Sequence, residues 1–117
     1  MSHWKQWAQA RPADTNNATL YAAIRGWAYR VYVIVCNNTG GALTFRVFHD
    51  QDGTTYSEAT ALAYDEALAA NARVRVPSDG WIYMDEDGDD NIGVRSSSAN
   101  GLSFTLYGER QKEEPRV

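Results

Sequence analysis

The sequence predicts an all-β protein: an antiparallel β-sandwich, jelly-roll-like, with an N-terminal extended arm and a short charged C-terminal tail. Three observations lead there. Through the middle of the chain apolar residues recur at a spacing of two, the period at which strand side chains alternate between faces. Clusters of Asn, Asp, Gly, Ser and Pro cut that pattern into short runs every ~8–12 residues, the rhythm of a sandwich or barrel. Finally, 117 residues with 44% hydrophobic and 12% aromatic side chains suffice for one core, because a chain of this size hides about two thirds of its unfolded surface.

Residues 1–17 form the expected arm. Trp4, Trp7 and Ala8 would share one face of a helical turn, but the segment is too short for a stable free helix. It is therefore read as extended or half-helical. The body, 18–108, carries strands near 18–24, 27–37, 42–49, 72–76, 81–84, 90–96 and 101–107. Leu102, Phe104 and Leu106 alternate with Ser103, Thr105 and Tyr107; Val74 and Val76 alternate with Arg73 and Arg75; Ile92 and Val94 alternate with Gly93 and Arg95. Each such strand has one dry face. Tyr29-Arg30-Val31-Tyr32-Val33-Ile34-Val35-Cys36 is apolar on both faces, so it is either central and covered twice or presents its second face to another subunit.

Between these runs, Asn37-Asn38-Thr39-Gly40-Gly41 reads as a hairpin loop, and the segments 50–53, 77–80 and 87–90 read as further reversals. Thr60–Ala70 is ambiguous. Its helix propensity is high, yet a β-rich neighbourhood can turn Ala61–Tyr64 into a strand, and both options stand at this level. The nearly all-charged segment 109–117 is read as a solvated tail.

Charge and composition exclude several functions. Eleven Lys+Arg against fifteen Asp+Glu leave a net charge of −4, so no nucleic-acid partner is expected, since phosphate-backbone binding needs clustered cations. No apolar run approaches the ~20 residues of a membrane-spanning helix, and no membrane partner is expected. Cys36 is the single cysteine, which excludes an internal disulfide and a Cys-based zinc cage. The first residues lack the charged-then-apolar layout of a secretory signal, so a reducing compartment is expected.

No catalytic constellation is visible. His49 beside Asp50 lacks a nucleophile or metal motif. Ser96-Ser97-Ser98 lacks the strained Gly-x-Ser-x-Gly elbow, and Cys36 lies in the most apolar strand, where a thiol is a small hydrophobe. Asp85, Asp87 and Asp89 have the alternate spacing of calcium ligands, but Gly88 sits too early and no distal Glu follows. An exposed turn accounts for them better. The expectation is no enzyme and no cofactor.

The order of features resembles the small β-sandwich virion structural proteins of tailed bacteriophages, of the capsid decoration or head-tail accessory type. The resemblance covers roughly 15–109. It runs from Thr15-Asn16-Asn17-Ala18-Thr19-Leu20-Tyr21 through Val33-Ile34-Val35-Cys36-Asn37 and Thr44-Phe45-Arg46-Val47-Phe48. It continues through Tyr64-Asp65, Leu68-Ala69-Ala70-Asn71 and Ile92-Gly93-Val94 to Leu102-Ser103-Phe104-Thr105-Leu106-Tyr107-Gly108. It implies repeated copies, commonly homotrimers, on a virion assembled in the host bacterial cytoplasm, with no cofactor. The expected function is therefore a capsid decoration (cement) protein on the outside of the major capsid protein shell. A neck, tail or fibre-base component is the alternative. A further alternative is a carbohydrate- or receptor-binding module using Trp81 and Tyr83. The expected partner-binding residues are Trp4, Trp7, Tyr32 and Ile34, because buried aromatics dominate interface energetics.

Overall fold

A computed structural model describes residues 2–112 of the chain, with side-chain surroundings from residue 4 onward. It contains nine strands: β1 (Ser2–Ala10), β2 (Ala18–Ala22), β3 (Trp27–Asn37), β4 (Leu43–Asp50), β5 (Ala61–Leu68), β6 (Arg73–Val76), β7 (Ile82–Met84), β8 (Asn91–Ser96) and β9 (Leu102–Lys112). A single 3-10 turn, Glu58–Thr60, precedes β5. Five strands form one sheet in the order β1-β9-β3-β6, with β7 also paired to β3, and four form the other in the order β2-β8-β4-β5. Every pairing is antiparallel.

The pairings have a simple logic. β1 pairs with β9, β2 with β8, β3 with β6 and β7, and β4 with β5. The chain thus behaves as one long double-stranded ribbon with its tip at β4–β5, rolled so that β9 meets β3 and β8 meets β4. That is a jelly roll. Between the sheets lie the residues whose alternation predicted the strands: Val31, Val33, Val35, Phe45, Val47, Ile92, Val94, Leu102, Phe104 and Leu106, all at most 1% exposed.

Each of the seven predicted strands is present, three expectations need correction, and the open choice at 60–70 is decided. Segment 37–41 is no hairpin: β3 and β4 lie in different sheets, so the loop arches over the end of the core. Buried Asn37 organises it, its amide group donating to the carbonyls of Gly41, Leu68 and Ala69 while Oδ1 accepts from the Thr39 N–H and hydroxyl. Residues 61–68 are a strand rather than a helix. Tertiary pairing overrides propensity here, because β4 would otherwise be left with an unpaired edge. Two register shifts and Asp65 at φ 50 absorb the poor local fit.

The half-helical option for 1–17 fails for the same reason, and the arm is not separate from the body: residues 2–10 form the sheet edge against β9. Nor is 109–117 a tail throughout, since β9 continues to Lys112, pairing Glu109 through Lys112 with Arg30 through Trp27. The remainder of the expected tail, 113–117, lies outside the described residues.

Candidate interaction surface

In β3 the inward Val31, Val33 and Val35 force Arg30, Tyr32, Ile34 and Cys36 to the outer face, since neighbouring side chains point to opposite sides. Cross-strand register then assembles a surface from residues far apart in sequence. Trp4, Glu109, Arg30 and Tyr83 stand in one row across β1, β9, β3 and β7, and Gln6, Tyr107 and Tyr32 stand in the next. Trp81, just before β7, closes that second row against Tyr32 at 5.7 Å between ring centroids. Arg75 lies opposite Ile34 in the row beyond.

The aromatic rings and guanidinium groups interlock. Trp4 and Trp81 are 5.5 Å apart, and Tyr32 and Tyr107 are 5.8 Å apart. The Arg30 guanidinium sits 5.3 Å from the Trp4 ring and 5.1 Å from the Trp81 ring, and also pairs with Glu109. Arg75 lies 4.3 Å from the Tyr32 ring, anchored by donation to the carbonyls of Pro77 and Gly80. Tyr83, Trp4 and Tyr107 nevertheless remain 64%, 55% and 36% exposed. Shallow depressions of about 380 and 330 Å³ flank the Arg30 ridge, one beside Tyr83 and Glu109, the other between Trp4, Gln6, Tyr32 and Tyr107.

Of the four residues expected to bind a partner, Trp4 and Tyr32 belong to this surface, and half-buried Ile34 shares its face. Trp7 does not. Three positions beyond outward Trp4 on a strand, it points inward by simple alternation, where its Nε1–H donates to the Gly108 carbonyl at 3.1 Å and its ring meets Tyr29 edge-on. The bulge between Gln6 and Ala8 brings Ala8 and Ala10 to the same inner side. Trp7 is half-buried against the core because β1 is a strand. Sequence reading assigned no partner role to Arg30, Arg75 or Tyr107. Only cross-strand register could have revealed them.

The outer face of the four-stranded sheet is built differently. Phe48 points outward from β4 yet is fully buried, because Tyr56 stacks on it at 5.5 Å. Tyr56 also lies over Gly93, where an added Cβ would come within 2.6 Å of its ring. The 51–60 loop holds this cover in place. Asp50 accepts the Thr55 and Asp52 backbone N–H groups, and those bonds hold its carboxyl below the usual pKa. The Tyr56 hydroxyl bonds to Thr19 at 2.7 Å.

His49 pairs with buried Asp90 at 2.7 Å, and burial raises the Asp90 carboxyl above its ordinary pKa. Ser96 Oγ donates to the Ser98 carbonyl, and Cys36 is half-buried opposite Arg73. Asp85 Oδ1 accepts the Asp87 N–H in an exposed turn. Among the described residues no three acidic, His or Cys side chains converge as a metal site would require.

No family model and no curated protein matches the chain. Solved structures do. A chain of the Bacillus endospore appendages, a family of disulfide-linked pili, matches with a TM-score of 0.54 and 13% identity, covering 97% of this chain and 87% of that one. A chain of infectious bursal virus derived T=1 particles matches with a TM-score of 0.51 and 10% identity over 94% of this chain. The chain spans 30% of that viral protein's length. At these identities the likeness establishes the sandwich fold.

Proposed function

We propose that this chain is a structural protein of a virion, a capsid decoration protein that attaches in many copies to the outside of a tailed-phage shell. The aromatic–arginine face of the five-stranded sheet is the observation that carries the reading. Trp, Tyr and Arg are the residues that dominate binding at protein interfaces, where Lys and Glu are depleted. Here Trp4, Trp81, Tyr32, Tyr83, Tyr107, Arg30 and Arg75 form one continuous patch whose only carboxylate across the β1, β9, β3 and β7 rows, Glu109, is already paired. The patch is rigid, because strands rather than loops hold most of it, and rigidity lowers the ordering cost of docking. The same fold occurs in a viral particle and in a pilus, both of them assemblies of repeated subunits, which supports an assembly role. Copies associate with one another, as trimers, during assembly in the host cytoplasm.

Particles purified from cells producing this chain test the reading. Several hundred copies per particle, imaged on the shell, are expected. A dozen copies at one vertex would move the protein to the neck or tail, and absence from every particle would end the proposal. Trp81→Ala combined with Arg30→Ala should lower occupancy by roughly a hundredfold or more, as for two interface anchors of ~2 kcal/mol each.

A further inference from the structure

The molecule is electrically lopsided. β4 and β8 run side by side between two ends of the four-stranded sheet. At one end Asp50 closes β4 and the 85–90 turn leads into β8, so Asp50, Asp52, Asp85, Asp87, Asp89 and Asp90 gather there. Toward the other end Arg46 and Arg95 stand directly opposite each other on the paired strands. With Thr15, Thr44, Asp65 and Ser97 they line a depression of about 480 Å³.

Like charges facing each other across an antiparallel pair repel. The fold compensates only partly. Asp65, held at φ 50 in the irregular part of β5, gives both carboxylate oxygens to Arg46, at 2.7 and 2.9 Å. Among the residues lining the depression one carboxylate faces two guanidinium groups, with Glu58 acting on Arg46 from outside the lining. Arg95 Nε donates to the Thr15 carbonyl at 2.7 Å, and no acceptor among the described residues engages its two terminal amino groups.

We propose that the acidic turn of a second copy fills this depression, Asp87 and Asp89 docking onto Arg95 and Arg46 of their neighbour. The complement is built into the same chain. Asp87 and Asp89 are exposed, and no donor among the described residues holds their carboxylates. The turn is also ordered in advance. Gly88, at φ +82, packs so closely that a Cβ would lie 2.8 Å from Arg25 Cβ, and the Gly26 N–H donates to the Glu86 carbonyl at 2.9 Å. Because the two patches occupy different places on one molecule, each copy offers both a turn and a pocket to its neighbours. Made reciprocally the contact closes a dimer, and made head to tail it closes a ring, a trimer among them, or extends as a filament. The inference rests on the reading that copies associate, but it uses a different surface from the aromatic face.

Light scattering on the full chain tests it. The wild-type mass is expected to exceed the monomer's at low salt and to fall as salt rises, association weakening about tenfold or more as exposed charges are screened. Arg95→Glu alone, and Asp87→Lys with Asp89→Lys alone, should each give folded monomers. Mixing the two should restore association, because the intact turn of the first meets the intact pocket of the second. A folded Arg95→Glu chain that associates like wild type, or a mixture that stays monomeric, would overturn the proposal. Trp81→Ala should leave association in solution unchanged, so loss of particle attachment in that variant reports on the aromatic face alone.

Discussion

On the four-stranded sheet the outward ring of Phe48 is wholly buried, because a loop of the same chain brings Tyr56 back over it and over Gly93. On the five-stranded sheet Trp4, Tyr83 and Tyr107 point outward as well, and no segment among the described residues returns to cover them. Both faces carry large aromatics, so hydrophobicity alone does not separate them. The difference is whether the chain provides its own cover. A face closed from within belongs to folding, and a face left open with aromatics and arginines interlocked upon it is available to another molecule.

This contrast can be broken by substitution. The largest effect is expected at Phe48→Ala, which removes a fully buried ring and leaves Tyr56 over a cavity. Urea denaturation should register a loss of about 3–5 kcal/mol, and a loss below ~1 kcal/mol would mean that the loop is no true cover.

Asp50→Ala acts on the same cover through its support. Without the acceptor for Thr55 and Asp52, amide hydrogen exchange over residues 51–60 should accelerate by roughly tenfold while the core strands stay protected. The pH dependence follows from the sign of the shift. The Asp50 carboxyl titrates below its ordinary 3.8 in the folded chain, so its contribution is present above that value and is lost as pH falls through the lower, native one. Acid should therefore loosen this loop in the wild type but change the alanine variant less. Equal acid sensitivity in both chains would refute the assignment.

The smallest stability effect is expected on the open face. Tyr83→Ser removes a ring that is 64% exposed and should alter stability by no more than ~0.5 kcal/mol, while still reducing particle occupancy. A cost as large as that of Phe48→Ala would erase the distinction between the two faces.

Much of this architecture was legible in the residues. Val31, Val33 and Val35, like Leu102, Phe104 and Leu106, alternate so regularly that both strands and their inward faces follow from periodicity alone. Tyr32 was assignable to the outer face for the same reason. Segment 61–68 was not legible, since its Ala- and Leu-rich composition favours a helix locally and only the edge of β4 makes it a strand. Trp4 and Trp7 were assigned together, but three positions apart on a strand they face opposite sides, one outward and the other packed against the core.

Local chemistry, acting within a few residues of each position, therefore determined most of the strands and the side their residues face, β5 and the path of the 37–41 loop excepted. Which strands became neighbours was decided only by the rolled tertiary structure. Trp4 and Trp81 meet through pairings that span most of the chain, and Arg46 faces Arg95 across two strands. The physical reason is that strand pairing uses backbone groups common to nearly every residue. Partner choice is left to burial over the whole core, and the surfaces that matter most here are by-products of that choice.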